Sequence, residues 1–216
     1  MKTVISLENI TSHIPREFQD NDDRYPESLV EYFLQLYTQE GDKVFDPFAG
    51  LGTTLLVSEK SNRIPFGIEI DRQRYEFIQS KLTHKDNIIC GNSLELNTHT
   101  FPLFDFSITS PPYNPIDEEN YLSGQGGYKG FIKDIGKIYS QLKDFMKSDS
   151  YIIIEVSNLK AKEITTLAWD IGKEVSKIFH FEGEVIVQWE TKNADNEDGN
   201  YGYGYDHSYC LVFRNI

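Results

Sequence analysis

The hydrophobic residues recur along the chain in two alternating patterns. Residues 26–39 begin at a proline and carry apolar residues three and four positions apart, which predicts an amphipathic helix ended by Gly41. Short, almost wholly apolar runs predict buried strands at 43–47, 65–70, 87–90, 104–109, 151–156, 184–190 and 208–213. Further helices are predicted at about 52–61, 72–83, 128–147 and 160–178, with Asp71 capping the second of these.

The order of these elements indicates the fold class. Strands alternate with helices, and apolar strands of this kind are typical of a parallel sheet covered on both faces. Because no helix separates the last two strands, they should pair as an antiparallel hairpin. The prediction is a doubly wound, Rossmann-like α/β fold of about seven mostly parallel strands with a C-terminal antiparallel hairpin. A length of 216 residues fits one domain, 1–216.

The composition bears on where the protein resides and on what it can bind. No apolar run reaches the ~20 residues of a membrane span, and the first residues are too polar for a signal peptide. Two cysteines, Cys90 and Cys210, make neither a disulfide framework nor a metal motif, so we expect reduced thiols and a cytoplasmic protein. The net charge of −13 is unfavourable for non-specific nucleic-acid binding, although a local basic face can still bind.

A glycine-containing turn, "DPFAGLGTT" (46–54), follows the first strand and opens a helix. Ligands of doubly wound sheets bind outside the carboxyl ends of the strands, and Gly50 and Gly52 allow close approach to the backbone. On the two glycines alone, a purely structural turn is an equally good reading. The stretch lacks both a third glycine and the lysine of a phosphate loop. Asp46 instead suits a cationic or amino-bearing ligand.

The next two strand ends also carry polar side chains. Glu69 lies about 20 residues after the glycines, where an acid accepts both hydroxyls of a ribose. Asn92 and Ser93 follow the third strand. Each alone could be an ordinary polar residue leaving a strand. Together with Asp46, they predict a pocket for a nucleoside with a charged tail.

The motifs "DPFAGLGTT" and "TSPPY" (109–113), in this order, resemble the amino-methyltransferases that modify exocyclic amines of DNA bases. The likeness also covers "RYPESLVEYFLQLYTQEGDKVFDPFAGLGTT", "PFGIEIDRQRYEFIQ" and "HSYCLVFRN", and so runs over nearly the whole chain. It implies a methyltransferase fold and S-adenosylmethionine as cofactor. The cofactor-binding positions are Asp46, Pro47, Phe48, Gly50, Gly52, Thr53, Glu69, Ile70, Asn92 and Ser93.

The sequence departs from the family pattern at three points. Asn92 stands where the family often has Asp, but its amide oxygen can still accept from an adenine amino group. Leu51 replaces a common small residue. No long segment remains for a separate target-recognition domain, so a specificity subunit or a second copy could supply recognition.

The family's catalytic motif corresponds to Ser110, Pro111, Pro112 and Tyr113. An ordinary strand-ending turn would be the better reading of these residues alone, and the upstream glycine motif reverses that preference. The Ser110 hydroxyl and the Pro111 carbonyl would hold the two amine hydrogens, while Tyr113 stacks on a flipped base. This chemistry requires no metal.

The resulting hypothesis is methyl transfer to a DNA base. We favour cytosine N4 over adenine N6 by analogy, since "TSPPY" is more typical of cytosine enzymes. The alternatives are an RNA base amino-methyltransferase and a weakly active binding subunit of a larger complex. DNA is favoured over RNA as the partner, and no membrane partner is expected.

Lys129, Lys133 and Lys137 recur on one helical face and are the best local candidates for phosphate contact. His207, beside a tyrosine-rich loop, could stack a nucleotide.

Overall fold

The computed structural model describes residues 2–9, 11–19, 22, 24–112, 126–160, 163–190 and 207–216. The strands, in chain order, are β1 (Val4–Glu8), β2 (Lys43–Asp46), β3 (Ile64–Glu69), β4 (Ile88–Cys90), β5 (Phe104–Thr109), β6 (Met146–Val156), β7 (Leu159–Lys160), β8 (Ile164–Thr165), β9 (His180–Glu190) and β10 (His207–Arg214). The α-helices are α1 (Arg16–Gln19), α2 (Glu27–Tyr37), α3 (Thr53–Lys60), α4 (Arg72–Lys81), α5 (Gly127–Lys143) and α6 (Leu167–Val175). Short 3₁₀ segments cover Lys85–Asn87 and Ser93–Thr98.

Eight of the strands form one sheet, in the order β1-β9-β10-β6-β5-β2-β3-β4. All neighbouring pairs are parallel except β10 with β6 and β10 with β9. The predicted doubly wound, mostly parallel sheet with a terminal antiparallel pair is therefore confirmed. Since β10 runs against its neighbours, its first residues lie at the same edge as the carboxyl ends of the other strands.

The sheet is covered on both faces. On one face α5 and α6 pack on a cluster that includes Phe104, Tyr139 and Ile154. On the other face α2 packs on a cluster that includes Phe33 and Ile153, while α3 and α4 enclose a smaller one around Ile78. Successive β6 residues, Ile153 and Ile154, thus face opposite layers, as the alternation of a strand requires.

Several elements differ from the sequence prediction. The predicted helix at 128–147 runs too far, because α5 ends at Lys143 and β6 already begins at Met146. The prediction lacks β1, which pairs in parallel with β9 and brings the sheet to eight strands. The predicted helix at 160–178 is too long, because β7 and β8 form a two-stranded ribbon before α6 begins at Leu167. β8 consists of Ile164 and Thr165, two β-branched residues whose side chains are restricted in a helix.

Candidate active site

A cavity of about 330 Å³ opens at the carboxyl ends of β2, β3, β4 and β5. Most of the predicted site residues line it: Asp46, Pro47, Phe48, Gly50, Thr53, Glu69, Ile70, Asn92, Ser93, Ser110, Pro111 and Pro112. Gly52 does not, and Tyr113 lies outside the described residues. The fold thus brings the glycine turn, the two following strand ends and the Ser-Pro-Pro turn together around one space.

The two glycines of the turn adopt left-handed backbone conformations, with φ of +56° at Gly50 and +85° at Gly52. Gly52 is the N-cap of α3, and a Cβ atom there would lie 2.9 Å from Ile78 Cγ1. Gly52 is therefore required for packing α3 against α4, whereas Gly50 lines the cavity.

Asp46 is the buried anchor of the turn, with 2% of its surface exposed. Its Oδ1 accepts from the Phe48 backbone N–H at 2.9 Å and from the Thr109 hydroxyl. Its Oδ2 accepts from the Tyr25 hydroxyl at 3.4 Å. Burial raises the pKa of the Asp46 carboxyl, and the bonds from Thr109 and Phe48 act in the opposite direction.

Glu69 joins the second strand end to the glycine turn. Its Oε2 accepts from the Gly50 N–H at 2.6 Å, and its Oε1 accepts from the Asp71 N–H at 2.8 Å. Burial raises the pKa of Glu69 to about 7, and the two backbone donors oppose that shift. The carboxylate lines the cavity with lone pairs left over, as a ribose acceptor requires. Asp71 caps α4 by accepting from Gln73 and Arg74 N–H groups, as predicted.

Asn92 and Ser93, which follow the third strand end, each make a hydrogen bond that fixes the local structure. Asn92 Oδ1 accepts from the Leu94 N–H at 3.0 Å, which starts the 3₁₀ segment. The Ser93 hydroxyl donates to the Pro47 carbonyl and so ties this strand end to the glycine turn. The Asn92 amide lines the cavity, but the oxygen predicted to receive an adenine amino group already accepts one backbone bond.

The Ser-Pro-Pro turn begins where β5 ends, at Thr109. The Ser110 Oγ atom is buried at the cavity and has no hydrogen-bond partner among the described residues. An unsatisfied buried hydroxyl costs about 1–3 kcal/mol. A second such hydroxyl on the strand, that of Ser107, lies inside the core and does not line the cavity.

Sequence reasoning missed two cavity residues just before α2, Arg24 and Tyr25. Tyr25 is 6% exposed, and its hydroxyl bonds to both Thr54 and Asp46. Burial is the main reason that its pKa lies well above the usual value. Arg24 is fixed by Asp22, with Nε to Oδ1 at 2.7 Å. The resemblance noted above begins at Arg24 and is a sequence signal for this segment, but the contacts of Tyr25 with Asp46 and Thr54 form only in the folded protein.

The remaining candidates lie away from the cavity. Lys129, Lys133 and Lys137 are all exposed on α5, in agreement with the predicted cationic face. His207 is the first residue of β10, and its ring contacts that of Tyr209 at 5.1 Å. The tyrosine-rich loop before it lies outside the described residues.

The sheet order and the position of the cavity define the class: this is the Rossmann-like fold of S-adenosylmethionine-dependent methyltransferases. Solved structures of other methyltransferases have a similar fold. TrmN from Thermus thermophilus aligns with a TM-score of 0.65 at 14% identity, over 92% of this chain and 51% of that one. A magnesium protoporphyrin IX methyltransferase (ChlM) from Synechocystis PCC 6803 aligns with a TM-score of 0.56 at 14% identity, over 88% and 77%.

Sequence comparison finds similarity to DNA methylases over part of the chain. Residues 8–80 match the model of the N6/N4 DNA methylase family. The orphan methyltransferase M.BamHII of Bacillus amyloliquefaciens is 35% identical over 78 residues, which is 36% of this chain and 29% of that protein. The type II methyltransferase M.BamHI of the same species is 37% identical over 108 residues, or 49% and 25%. These matches show a partial similarity to DNA amino-methyltransferases, in which the chain aligns with under a third of either relative.

The cofactor of this family is S-adenosylmethionine, and the residues present fit it. Glu69 and Asp46 both line the cavity, where Glu69 would accept from ribose hydroxyls and Asp46 would place a carboxyl group near the cationic tail. Ile70 is 65% exposed at the cavity and offers an apolar surface for a purine. Within the described residues, no helix is long and apolar enough to cross a membrane.

Proposed function

We propose that this protein transfers a methyl group from S-adenosylmethionine to an exocyclic amine of a DNA base, with cytosine N4 favoured over adenine N6. The observation that carries the proposal is the Ser110 hydroxyl, which is buried at the cavity without a partner among the described residues. A buried acceptor of this kind is satisfied when a substrate N–H group donates to it.

The chemistry follows from the position of Ser110. An exocyclic amine is a weak nucleophile because its lone pair is delocalised into the ring. Ser110 Oγ and the Pro111 carbonyl would each accept one amine hydrogen and favour the tetrahedral nitrogen of the transition state. The N–C bond forms as the S–C bond of the sulfonium breaks, and the methylated amine then loses one proton to solvent. Tyr113 would stack on the flipped base.

The backbone that carries Ser110 and Pro111 is rigid, which supports these roles. Two consecutive prolines fix φ at Pro111 and Pro112 and so limit movement of the acceptor carbonyl during the reaction. Thr54 donates to the Ile108 carbonyl at 3.4 Å, which links the end of β5 to α3. The acceptors are therefore held by the same elements that shape the cofactor cavity.

The preference for cytosine rests on analogy, since "TSPPY" with Ser110 is the pattern more typical of cytosine enzymes. We further propose that residues 1–216 act as one catalytic domain. A separate specificity subunit or a second copy of the chain would then supply target recognition.

The test is nucleoside mass spectrometry after incubation of the protein with S-adenosylmethionine and either unmethylated DNA or RNA. We expect N4-methylcytosine in DNA from the wild type and at least a hundredfold less from Ser110→Ala. Ser107→Ala is the matched control, because it removes another unpartnered buried hydroxyl from β5 away from the cavity. Methylated RNA with unmodified DNA would overturn the substrate, and equal turnover in Ser110→Ala would overturn the mechanism.

A further inference from the structure

Three aromatic rings form a row outside the cavity, which we name the aromatic platform: Trp169, Tyr209 and His207. The rings of Trp169 and Tyr209 are 5.2 Å apart, and those of Tyr209 and His207 are 5.1 Å apart. Trp169 is 49% exposed, although large aromatic side chains are usually buried. The planes of neighbouring rings are inclined at 56° and 79°, so the exposed face of Trp169 is the surface that remains for stacking.

The aromatic platform lies at the same edge of the sheet as the Ser-Pro-Pro turn. Tyr209 is paired with Val156, the last residue of β6, and Trp169 is in the first turn of α6. Asn158 holds this turn in place, because its Oδ1 accepts from the Ala168 N–H at 3.0 Å. β10 is two strands from β5, which corresponds to about 10 Å along the edge.

The charges around the platform favour a base rather than a phosphate group. Asp170 follows Trp169, and its Oδ2 accepts from the Tyr128 hydroxyl at 2.6 Å and from the Thr166 hydroxyl at 3.0 Å. A carboxylate at this place repels phosphate, but stacking depends on the aromatic faces. The whole chain carries a net charge of −13, which favours contacts that need no positive charge at this place.

We propose that Trp169, Tyr209 and His207 bind an unpaired nucleobase of the substrate strand, next to the base held at Ser110. This inference rests on the proposed function and adds a substrate class to it: single-stranded nucleic acid, or a strand opened around the target. Base stacking on aromatic side chains is tolerant of sequence. The aromatic platform would therefore bind the strand whatever its base sequence.

Tryptophan fluorescence provides a direct test, because the chain has two tryptophans and Trp189 is 4% exposed. In a Trp189→Phe variant the remaining signal belongs to Trp169. We expect a ten-residue oligothymidylate to quench it, and an abasic oligomer of equal length and charge to leave it unchanged. Equal quenching by both oligomers, or by neither, would overturn the proposal.

Fluorescence anisotropy of a labelled oligothymidylate tests the platform without the Trp189 change. Trp169→Ala should weaken binding about 5- to 150-fold, which corresponds to ~1–3 kcal/mol of stacking, and Trp169→Phe should retain most of the affinity. The control is Phe181→Ala, since Phe181 is 40% exposed near the start of β9, at the opposite edge of the sheet. Unchanged affinity in Trp169→Ala contradicts the proposal.

Two further readouts separate this inference from the proposed function. If wild type methylates DNA and Trp169→Ala methylates single strands equally well at sub-saturating concentration, the platform inference fails and the proposed function stands. If no variant methylates nucleic acid, the proposed function fails by itself. Should sedimentation show that Trp169→Ala separates a wild-type dimer while oligonucleotide affinity is unchanged, the platform is a protein interface and the inference fails.

Discussion

The Gly50 backbone N–H donates to Glu69 Oε2 at 2.6 Å, so the glycine turn and the second strand end are held by one carboxyl group. The other oxygen, Oε1, accepts from Asp71. A side chain expected to contact the cofactor thus also positions the loop that surrounds it, and both roles depend on the same protonation state.

Cofactor affinity should depend on that carboxylate. Glu69→Gln keeps the size of the side chain but places an amide NH2 where Gly50 or Asp71 already donates, and it removes a charged acceptor. We expect S-adenosylmethionine and its demethylated product to bind ~1–3 kcal/mol more weakly. Isothermal titration calorimetry measures this. Ser107→Ala, in the core of β5, is the control and should bind as wild type does. Equal affinity in Glu69→Gln contradicts the assignment of the ribose acceptor.

Stability should depend on pH through the same residue. The folded pKa of Glu69 is about 7, above its ordinary value of 4.5, mainly because of burial. Between these values the folded state binds more protons than the unfolded state, so the free energy of unfolding should fall as pH rises from about 4.5 to 7. The contribution is fully present below 4.5, and its loss amounts to up to about 3 kcal/mol.

Urea unfolding of the cofactor-free protein from pH 4 to 8.5 measures this dependence. The difference between wild type and Glu69→Gln isolates Glu69 from Asp46, whose pKa is also raised by burial. If the difference is flat across this pH range, Glu69 is ionised in the folded protein well below pH 7.

Two of the positive-φ glycines, Gly41 and Gly52, allow backbone strain and steric crowding to be measured separately. Both have φ of +85°, but a Cβ on Gly41 meets no atom within 4 Å, whereas one on Gly52 lies 2.9 Å from Ile78. Gly41→Ala should cost about 1–2 kcal/mol from backbone strain. Gly52→Ala should cost a further ~1–3 kcal/mol, because α4 must move. Thermal and urea unfolding measure both, and equal losses would mean that the α3–α4 contact adjusts freely.

The cationic face of α5 should contribute to nucleic-acid affinity in a salt-dependent way. Replacing Lys129, Lys133 and Lys137 together with Ala should weaken binding of short duplex DNA. The slope of log K against log salt should fall in magnitude by about 0.9 for each phosphate that is no longer neutralised by a lysine. Fluorescence anisotropy at several salt concentrations measures both the affinity and the slope.

The matched control for this experiment changes charge equally at the other edge of the sheet. Lys60 and Lys81 end α3 and α4, and Lys85 precedes β4. Their triple Ala variant should keep the wild-type slope. A decrease of equal size in both variants would mean that only net charge matters.

The fold was predictable where local pattern and tertiary packing agree. Short apolar strands between amphipathic helices indicate the parallel order, and Asp71 marks the start of α4. β1 escapes prediction because Ile5 is its only buried residue, so it lacks an apolar run, and because Ile5 pairs with the distant Val187 of β9. The predicted helix at 160–178 is overextended because residues 160–163, "KAKE", are good helix formers, so their sequence does not reveal the strands β7 and β8.

The site residues likewise divide into those that the sequence predicts and those that it does not. Residues at strand ends could be named from sequence, because parallel strands bring their carboxyl ends together. Tyr25, which donates to Asp46, could not, since its partner is 21 residues away along the chain. The row formed by Trp169 and Tyr209 likewise joins α6 to β10, two elements whose contact only the folded sheet creates.

The sheet order has an evolutionary consequence. The cofactor cavity and the Ser-Pro-Pro turn are built within residues 24–112, whereas the cationic face and the aromatic platform lie within 128–209. The two parts meet side by side where β5 pairs with β6. A gene that encoded them in the opposite order could assemble the same pairing. Under the proposed function, such a rearrangement would leave both the methyl-transfer residues and the recognition elements intact, because each set lies within one part.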